Sequence, residues 1–251
     1  METLKFEICT NSAESCLAAQ QGGAHRVELC AGIPEGGTTP SLGEMKVARR
    51  LLTTTQLFPI IRPRGGDFLY TEMEQEAMIA DIRAARDLGA DGVVIGCLTP
   101  EGELDLELMK RLQDAAGEMV VTCHRAFDMC RDPEKALEEL ISIGIPRVLT
   151  SGQQPTAEQG IPLLARLVKQ AAGRITIMPG CKVNADNILK IRKETGAQEF
   201  HFSARSGRES RMQYRNPNVS MGGTVKIDEY WQDLSDAGKV AATIAAARGH
   251  N

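Results

Sequence analysis

The chain has 251 residues, 42% hydrophobic and 25% charged, so it can bury a large core and is not intrinsically disordered. Its 29 basic and 33 acidic residues give a net charge of −4, which excludes a general nucleic-acid-binding protein. No apolar stretch reaches the roughly 18 residues of a membrane span, and we find no basic-then-apolar leader. We therefore expect neither a membrane-bound nor a secreted protein, and the seven cysteines, which include no CxxC pair, predict reduced thiols in the cytoplasm.

Short β-rich runs alternate with amphipathic runs along the chain. Joints such as Gly89-Ala90-Asp91-Gly92-Val93 place a glycine suited to a helix C-terminus shortly before an apolar strand. The starts of the predicted strands have the spacing of β/α units. We predict eight strands, at residues 4–9, 26–30, 57–62, 92–97, 119–124, 147–151, 175–180 and 199–204.

Helical patterns fill the intervals between these strands. Asp132 followed by Pro133 is typical of a helix N-terminus, and the segment 228–247 is predicted as the eighth helix. Five apolar residues at helical spacing predict the buried face of the third helix: Met73, Ala77, Ala80, Ala84 and Leu88. No linker or shift in composition divides the chain, so we predict one domain over residues 1–251.

Eight strands alternating with helices fit two α/β architectures, a closed (β/α)8 barrel and a doubly wound open sheet. The dinucleotide-binding pattern GxGxxG is missing after the first strand, and the phosphate-binding pattern GxxxxGK[ST] occurs nowhere. The β/α units are evenly spaced along the chain and their pattern does not change, which favours closure of the sheet into a barrel. The predicted fold is a single (β/α)8 TIM barrel.

In such barrels, functional residues lie at the C-terminal ends of the strands. If the apolar face of each strand packs on the helices, alternation directs five ionisable side chains into the barrel: Glu7, Glu28, Arg62, His124 and His201. Burying these groups is costly unless they pair. Two interpretations stay open. One is a self-paired polar network that closes the barrel, and the other is a site for a small polar ligand in which a histidine moves protons near neutral pH.

Two cysteines end the first two predicted strands. Cys9 and Cys30 hold equivalent positions, and neighbouring strands are about 4.8 Å apart. Two thiolates at that separation can hold a soft ion such as Cu(I), whereas their spacing in sequence matches no standard zinc pattern. The alternative is a pair of buried thiols that pack as small hydrophobic side chains.

Six runs of the sequence resemble the CutC family of copper homeostasis proteins. They are Arg26-Val-Glu-Leu-Cys30, Glu35-Gly-Gly-Thr-Thr-Pro40, Ile61-Arg-Pro-Arg-Gly-Gly-Asp-Phe68, His124-Arg-Ala-Phe-Asp128, Val148-Leu-Thr-Ser-Gly152 and Phe202-Ser-Ala-Arg205. The resemblance extends from about Glu7 to Tyr230, in the family's order. It implies a cytoplasmic (β/α)8 barrel, a homo-oligomer (dimer or tetramer), associated with copper tolerance. The Cu(I) ligands suggested for the family match Cys9 and Cys30.

A copper site alone leaves most of these motif residues without a role, because Arg, His, Asp, Gly and Ser are poor Cu(I) ligands. The alternative function is a lyase or isomerase acting on a small anionic or phosphorylated substrate at the same face of the barrel. Arg62 and Arg125 would then bind a carboxylate or phosphate through paired hydrogen bonds. Glu7 or Glu28 would be the base, and His124 the general acid.

Loops at this face supply further candidate substrate-binding residues. A turn at Gly180, leading to a helix capped near Asn184, would suit a phosphate. The segment 205–225 is polar and is either a lid or a subunit contact. The predicted anion-binding residues are Arg64, Asp67, Arg125, Asp128, Gly180, Ser203 and Arg205. A non-catalytic scaffold or copper chaperone is a third possibility.

Overall fold

A computed structural model describes residues 4–223 and 225–249. Eight parallel strands correspond to the eight predicted ones: β1 (Lys5–Thr10), β2 (Arg26–Leu29), β3 (Gln56–Pro59), β4 (Gly92–Ile95), β5 (Val120–Cys123), β6 (Arg147–Thr150), β7 (Thr176–Pro179) and β8 (Glu199–Phe202). Seven of them end one to three residues earlier than predicted. Arg62, His124 and Gly180 consequently follow their strands instead of ending them.

Helices connect these strands in sequence. They are α1 (Ala13–Gln21), α2 (Leu42–Leu51), α3 (Glu72–Asp87), α4 (Leu106–Ala116), α5 (Pro133–Ser142), α6 (Ile161–Ala171), α7 (Ile188–Thr195) and α8 (Ala237–Ala247). The Asp132 carboxylate accepts a 3.0 Å hydrogen bond from the Lys135 N–H at the start of α5, with Pro133 in the first turn as predicted. Gly89, after α3, has a φ of +76°, which only glycine adopts readily.

The strands form two parallel four-stranded sheets, in the orders β3-β2-β1-β8 and β4-β5-β6-β7. A bridge between Ile60 and Val94 joins β3 to β4, and β7 lies beside β8. The strands therefore follow one another around a closed (β/α)8 barrel, and the fold class predicted from the sequence is confirmed. No helix in the described ranges is long and apolar enough to cross a membrane.

The buried face of α3 differs from the predicted one. The helix packs on the barrel through Met78, Ile82 and Ala85, whereas Met73 is 78% exposed. The predicted face contained three alanines, and an alanine side chain buries too little apolar area to decide how a helix is oriented. The larger Met78 and Ile82 decide it here.

The segment before α8 is also different from the prediction, because the eighth helix begins at Ala237 and not at residue 228. Residues Trp231–Ser235 form a strand, β10, that pairs antiparallel with β9 (Arg205–Glu209). The indole of Trp231 lies on Gly207, where an added Cβ would be 1.9 Å from it. The beginning of the 205–225 segment is therefore an ordered hairpin strand beside the barrel mouth.

Candidate functional site

The middle of the barrel lumen contains a buried network of paired charges. Arg26, 1% exposed, donates from Nε to Glu7 and from Nη2 to Glu199 Oε2 at 2.8 Å. Arg147 Nε is 2.7 Å from the same Glu199 oxygen. Both guanidinium groups lie over the ring of Phe58, at 5.3 and 5.9 Å from its centroid. The charged side chains in the middle of the lumen therefore pair with one another, as the first interpretation of the sequence proposed.

Glu7 connects this network to the histidine above it. Its Oε1 accepts a 2.7 Å hydrogen bond from His201 Nδ1. Burial opposes ionisation of Glu7, but the Arg26 charge and the His201 hydrogen bond outweigh it and lower the pKa of the carboxyl to about 2. Burial likewise opposes the imidazolium of His201, yet hydrogen bonds to Cys9 and Glu7 hold its pKa well above the usual value. Glu7 thus fixes the ring and charge of His201.

Two thiols and a carboxyl group meet just above this histidine. The sulphur atoms of Cys9 and Cys30 and a carboxylate oxygen of Glu28 all lie within 4.8 Å of one another. A hydrogen bond from Cys30 and the charges of His201 and Arg205 hold the pKa of the Cys9 thiol well below its usual value. The same hydrogen bond, together with burial, raises the pKa of Cys30. Cys9 is therefore the thiolate and Cys30 its hydrogen-bond donor.

Glu28 belongs to the same cluster but is held in its neutral form. Its Oε2 lies 3.5 Å from the Cys30 sulphur and 3.7 Å from His201 Nε2. Burial, followed by the negative charges of Cys9 and Glu7, raises the pKa of this carboxyl to about 8. At pH 7 the protonated carboxyl carries no charge, and its Oε1 has no hydrogen-bond partner in the part of the chain that the structure describes.

The cluster opens into a cavity of about 470 Å³ at the C-terminal ends of the strands. Residues at or just after the ends of seven strands line it, as expected for a functional face of this fold. Four buried polar atoms on these lining side chains lack hydrogen-bond partners within the described part of the chain: Glu28 Oε1, Arg62 Nε, His124 Nε2 and Arg205 Nε. Unpaired buried polar atoms are rare in folded proteins. Their grouping here favours the second interpretation, a ligand site.

Arg62 ties together the loops that form one wall of the cavity. Its Nη1 donates to the carbonyl oxygens of Glu35 and Gly37, at 2.8 and 2.9 Å, and its Nη2 to that of Gly66 at 2.8 Å. The guanidinium carbon lies 5.0 Å from the centroid of the Phe68 ring. Most of the donors that the sequence assigned to a substrate therefore hold loops, and Nε is the nitrogen to which no described residue is bound.

His124 follows β5 and begins a short 3-10 turn. Its Nδ1 accepts a 3.1 Å hydrogen bond from the Ala126 N–H, so the proton of the neutral ring is on Nε2. Burial and the charge of Arg62 lower the pKa of this imidazole to about 3. His124 is therefore neutral near pH 7 and suits a hydrogen-bond donor. This state does not fit the general acid expected from the sequence.

The other predicted loop residues divide into two groups. Arg64 and Asp67 lie outside the cavity lining and pair with each other at 2.9 Å, and Arg64 also binds Glu74 at 2.6 Å. Arg125 and Asp128 do line the cavity, but they too are paired with each other, at 2.7 Å. All four charges are already compensated by neighbours on the chain.

Asp128 has a further part in holding the loop after β6. Its carboxylate accepts hydrogen bonds from Thr150 Oγ1 at 2.5 Å and from the N–H groups of Ser151 and Gln153 at 3.0 and 3.1 Å. With Arg125 also bound, this carboxylate has little capacity left for a ligand.

The turn after β7 differs in detail from the predicted phosphate loop. Gly180 packs on Leu149, whose Cδ1 would be 2.4 Å from an added Cβ, and it is not among the lining residues. Helix α7 begins at Ile188 after Asn187, not near Asn184. Ser203 and Arg205 line the cavity as expected.

Arg26, Arg147 and Glu199 are buried lumen residues that were left out of the predicted site. Side-chain alternation indicates two of them, because it places Arg26 on the same strand face as Glu28, and Glu199 on the same strand face as His201. Phe68 reaches the cavity from a loop, where no periodic signal exists.

Fold and site together define a (β/α)8 barrel with a thiol-containing cavity at its functional face. The sequence profile of the CutC family matches residues 4–206. A family protein CutC from Bacteroides thetaiotaomicron is 62% identical over 248 residues, covering 99% of this chain and all of the relative. The human copper homeostasis protein cutC homolog is 48% identical, covering 97% of this chain and 89% of the relative. The chain therefore belongs to the CutC family.

A solved structure supports the same assignment. The crystal structure of a CutC protein from Streptococcus agalactiae matches with a TM-score of 0.77 at 33% identity. The match covers 80% of this chain and 99% of that one.

Proposed function

We propose that this protein serves copper homeostasis by binding one Cu(I) ion between Cys9 and Cys30. The observation that carries the proposal is the cluster in which both sulphur atoms and a Glu28 oxygen lie within 4.8 Å of one another. Soft thiolates select Cu(I), and a human relative is named as a copper homeostasis protein. This function belongs to a reducing compartment such as the cytoplasm, because both sulphurs must stay unoxidised.

The donor set fits a soft monovalent ion. Cys9 already has thiolate character, so only Cys30 has to lose a proton when the metal binds. The positive charges of His201 and Arg205 face Cys9 and offset the negative charge of a two-thiolate complex. This one cluster is sufficient for the proposed stoichiometry of one Cu(I) ion per chain.

Anaerobic titration of the reduced protein with Cu(I), against a competing chelator, tests the proposal. We expect one tight equivalent in the wild type and at least a hundredfold weaker binding in Cys9→Ser and in Cys30→Ser, because each loses one of the two soft ligands. Cys181→Ser is the matched control, since Cys181 lines the same cavity outside the cluster and donates instead to the Pro155 carbonyl. Tight binding that survives both ligand substitutions would contradict the proposal.

The second candidate function is a lyase or isomerase acting on a small anionic substrate. The unpaired nitrogen atoms of Arg62, His124 and Arg205 and the volume of the cavity favour it, because a bare ion would use neither. Of the two carboxyl groups assigned as base, Glu28 lines the cavity, whereas Glu7 acts through His201. Glu28 is thus the acid–base group of this candidate function, and Glu7 its positioning residue.

Proton exchange at carbon tests this second function without knowledge of the product. Small carboxylic acids and phosphate esters bearing an adjacent carbonyl are incubated with the metal-free protein in D2O and followed by NMR. We expect deuterium incorporation into at least one compound, with loss of exchange in Glu28→Gln and retention in Glu107→Gln, which changes an acidic residue on α4. If every compound exchanges its protons only at the uncatalysed rate, the lyase or isomerase function is contradicted.

The homo-oligomer stays a prediction. Its most suitable surface is the hairpin region, where Met212, Tyr214, Met221 and Trp231 are exposed. Light scattering at several concentrations measures the mass directly, and a monomer at all of them would contradict the prediction.

A further inference from the structure

The cavity is much larger than a metal ion requires. Its 470 Å³ corresponds to the space of about fifteen water molecules in the liquid. Cys9 and Glu28 of the thiol cluster line one part of it, and copper binding there leaves the wall around Arg62 and His124 without a function. This wall is not explained by the proposed metal site.

The two donors on that wall are buried and fixed in position. Arg62 is 5% exposed and His124 is 3% exposed, and in each of them one side-chain nitrogen has no hydrogen-bond partner among the described residues. Both pack on one ring: the Phe68 centroid is 5.0 Å from the Arg62 guanidinium carbon and 5.1 Å from the His124 centroid. Three carbonyl oxygens hold Arg62, and the Ala126 N–H holds the His124 ring. The free donors are therefore preorganised, which favours ligand binding.

The charge of the cavity favours an anion. Arg62, Lys182 and Arg205 line it without a carboxylate partner in the described ranges, whereas Arg125 is neutralised by Asp128. Next to Phe68, the donors offered are one N–H of a cation and one N–H of a neutral ring. Two donors and one positive charge match a carboxylate, which has two oxygens and one negative charge. A phosphate dianion would need more donors than these two.

The body of the ligand follows from the rest of the lining. Six apolar side chains surround the cavity: Ile33, Ile60, Phe68, Met129, Leu149 and Phe202. Such a lining favours a ligand with an aromatic or aliphatic body over a sugar or a short polyol.

We infer that the cavity binds an organic carboxylate with an apolar body, whose acid group accepts hydrogen bonds from Arg62 Nε–H and His124 Nε2–H beside Phe68. This assigns a ligand class to the wall around Arg62, His124 and Phe68. The inference deepens the second candidate function by naming its substrate class, and it is independent of copper. Arg62 and His124 are binding residues in it, and no bond is made or broken.

The test uses 4-fluorobenzoate as the probe and 19F NMR of the full-length, reduced, metal-free protein. We expect saturable binding of 4-fluorobenzoate and at least tenfold weaker binding of 4-fluorobenzamide, which has the same shape without the charge. His124→Asn is expected to weaken binding of the benzoate at least tenfold. Asn keeps an acceptor for the Ala126 N–H but is too short to place a donor where Nε2 lies.

Arg166→Gln is the matched control for this substitution. It removes a positive charge from the exposed surface of α6, outside the cavity, and should change the affinity less than twofold. A measurement on the wild type covers the case in which His124→Asn does not fold: the Hε2 resonance of His124 should shift on addition of benzoate and stay in place on addition of the amide.

Three outcomes would overturn the inference. They are the absence of saturable benzoate binding, equal binding of benzoate and amide, and tighter binding of 4-fluorophenyl phosphate than of benzoate. Because the test measures binding alone, a protein that binds benzoate but exchanges no protons contradicts the enzyme and leaves the carboxylate site standing.

Discussion

Replacing Arg26 with leucine is expected to lower the free energy of unfolding by about 3 to 5 kcal/mol at pH 7. Arg26 lies between Glu7 and Glu199 in the lumen, where all three side chains are almost completely buried. Leucine fills part of the space but leaves Glu7 ionised with only His201 as a partner. Equilibrium urea denaturation, followed by circular dichroism, measures the change.

The loss of stability caused by Arg26→Leu should become smaller as the pH falls. The pKa of Glu7 is lowered to about 2 in the folded protein from an ordinary value of 4.5. Its ion pair therefore stabilises the fold fully above pH 4.5 and loses this contribution as the pH falls towards 2. The difference in stability between wild type and Arg26→Leu should be largest at pH 7 and narrow as the pH falls towards 2. A difference that widens in acid would mean that Glu7 is not the group left unpaired.

Arg174→Leu provides the matched control for the buried pair. Arg174 and Glu138 form a pair of similar length, 2.7 Å, but both side chains are nearly half exposed. Solvent screens such a pair, so the denaturation midpoint should hardly change. Equal midpoints for the Arg26 and Arg174 variants would contradict the importance assigned to the lumen network.

Strand alternation explains why much of the site could be predicted from the sequence. The side-chain period of a strand is local, so Glu28 and His201 could be placed in the lumen from their own strands alone. The same rule indicates Arg26, which lies at the N-terminal end of its strand, away from the functional face. Which groups pair within the lumen depends on neighbours far apart in sequence, such as Glu7 and His201, and no single strand shows it.

Loop residues were less predictable than strand residues for a physical reason. Arg64 and Asp67 were expected to face a substrate, yet they pair with each other outside the cavity. Asp128 reaches the cavity but accepts hydrogen bonds from the backbone of the loop after β6. A charged loop residue finds its partner through backbone turns that have no fixed period, so composition shows that it is polar but not which way it faces.

Gly96→Ala is expected to displace the ring of His124, one of the two residues that we infer bind the carboxylate. Gly96 follows β4 against His124, and an added Cβ would be 2.5 Å from Nδ1 of that ring and 2.8 Å from Ala126 Cβ. Since the ring is held by the Ala126 N–H, it cannot move away without breaking that bond, and we expect a loss of about 1 to 3 kcal/mol in stability. Binding of 4-fluorobenzoate should weaken at least tenfold, because Nε2–H turns away from the ligand.

Gly43→Ala is the control. A Cβ added at Gly43 would be 3.9 Å from its nearest neighbour, and alanine favours the helix by about 1 kcal/mol. A Gly96→Ala protein with wild-type stability and benzoate affinity would show that the imidazole is not wedged against this glycine, and the orientation assigned to its free N–H would have to be given up.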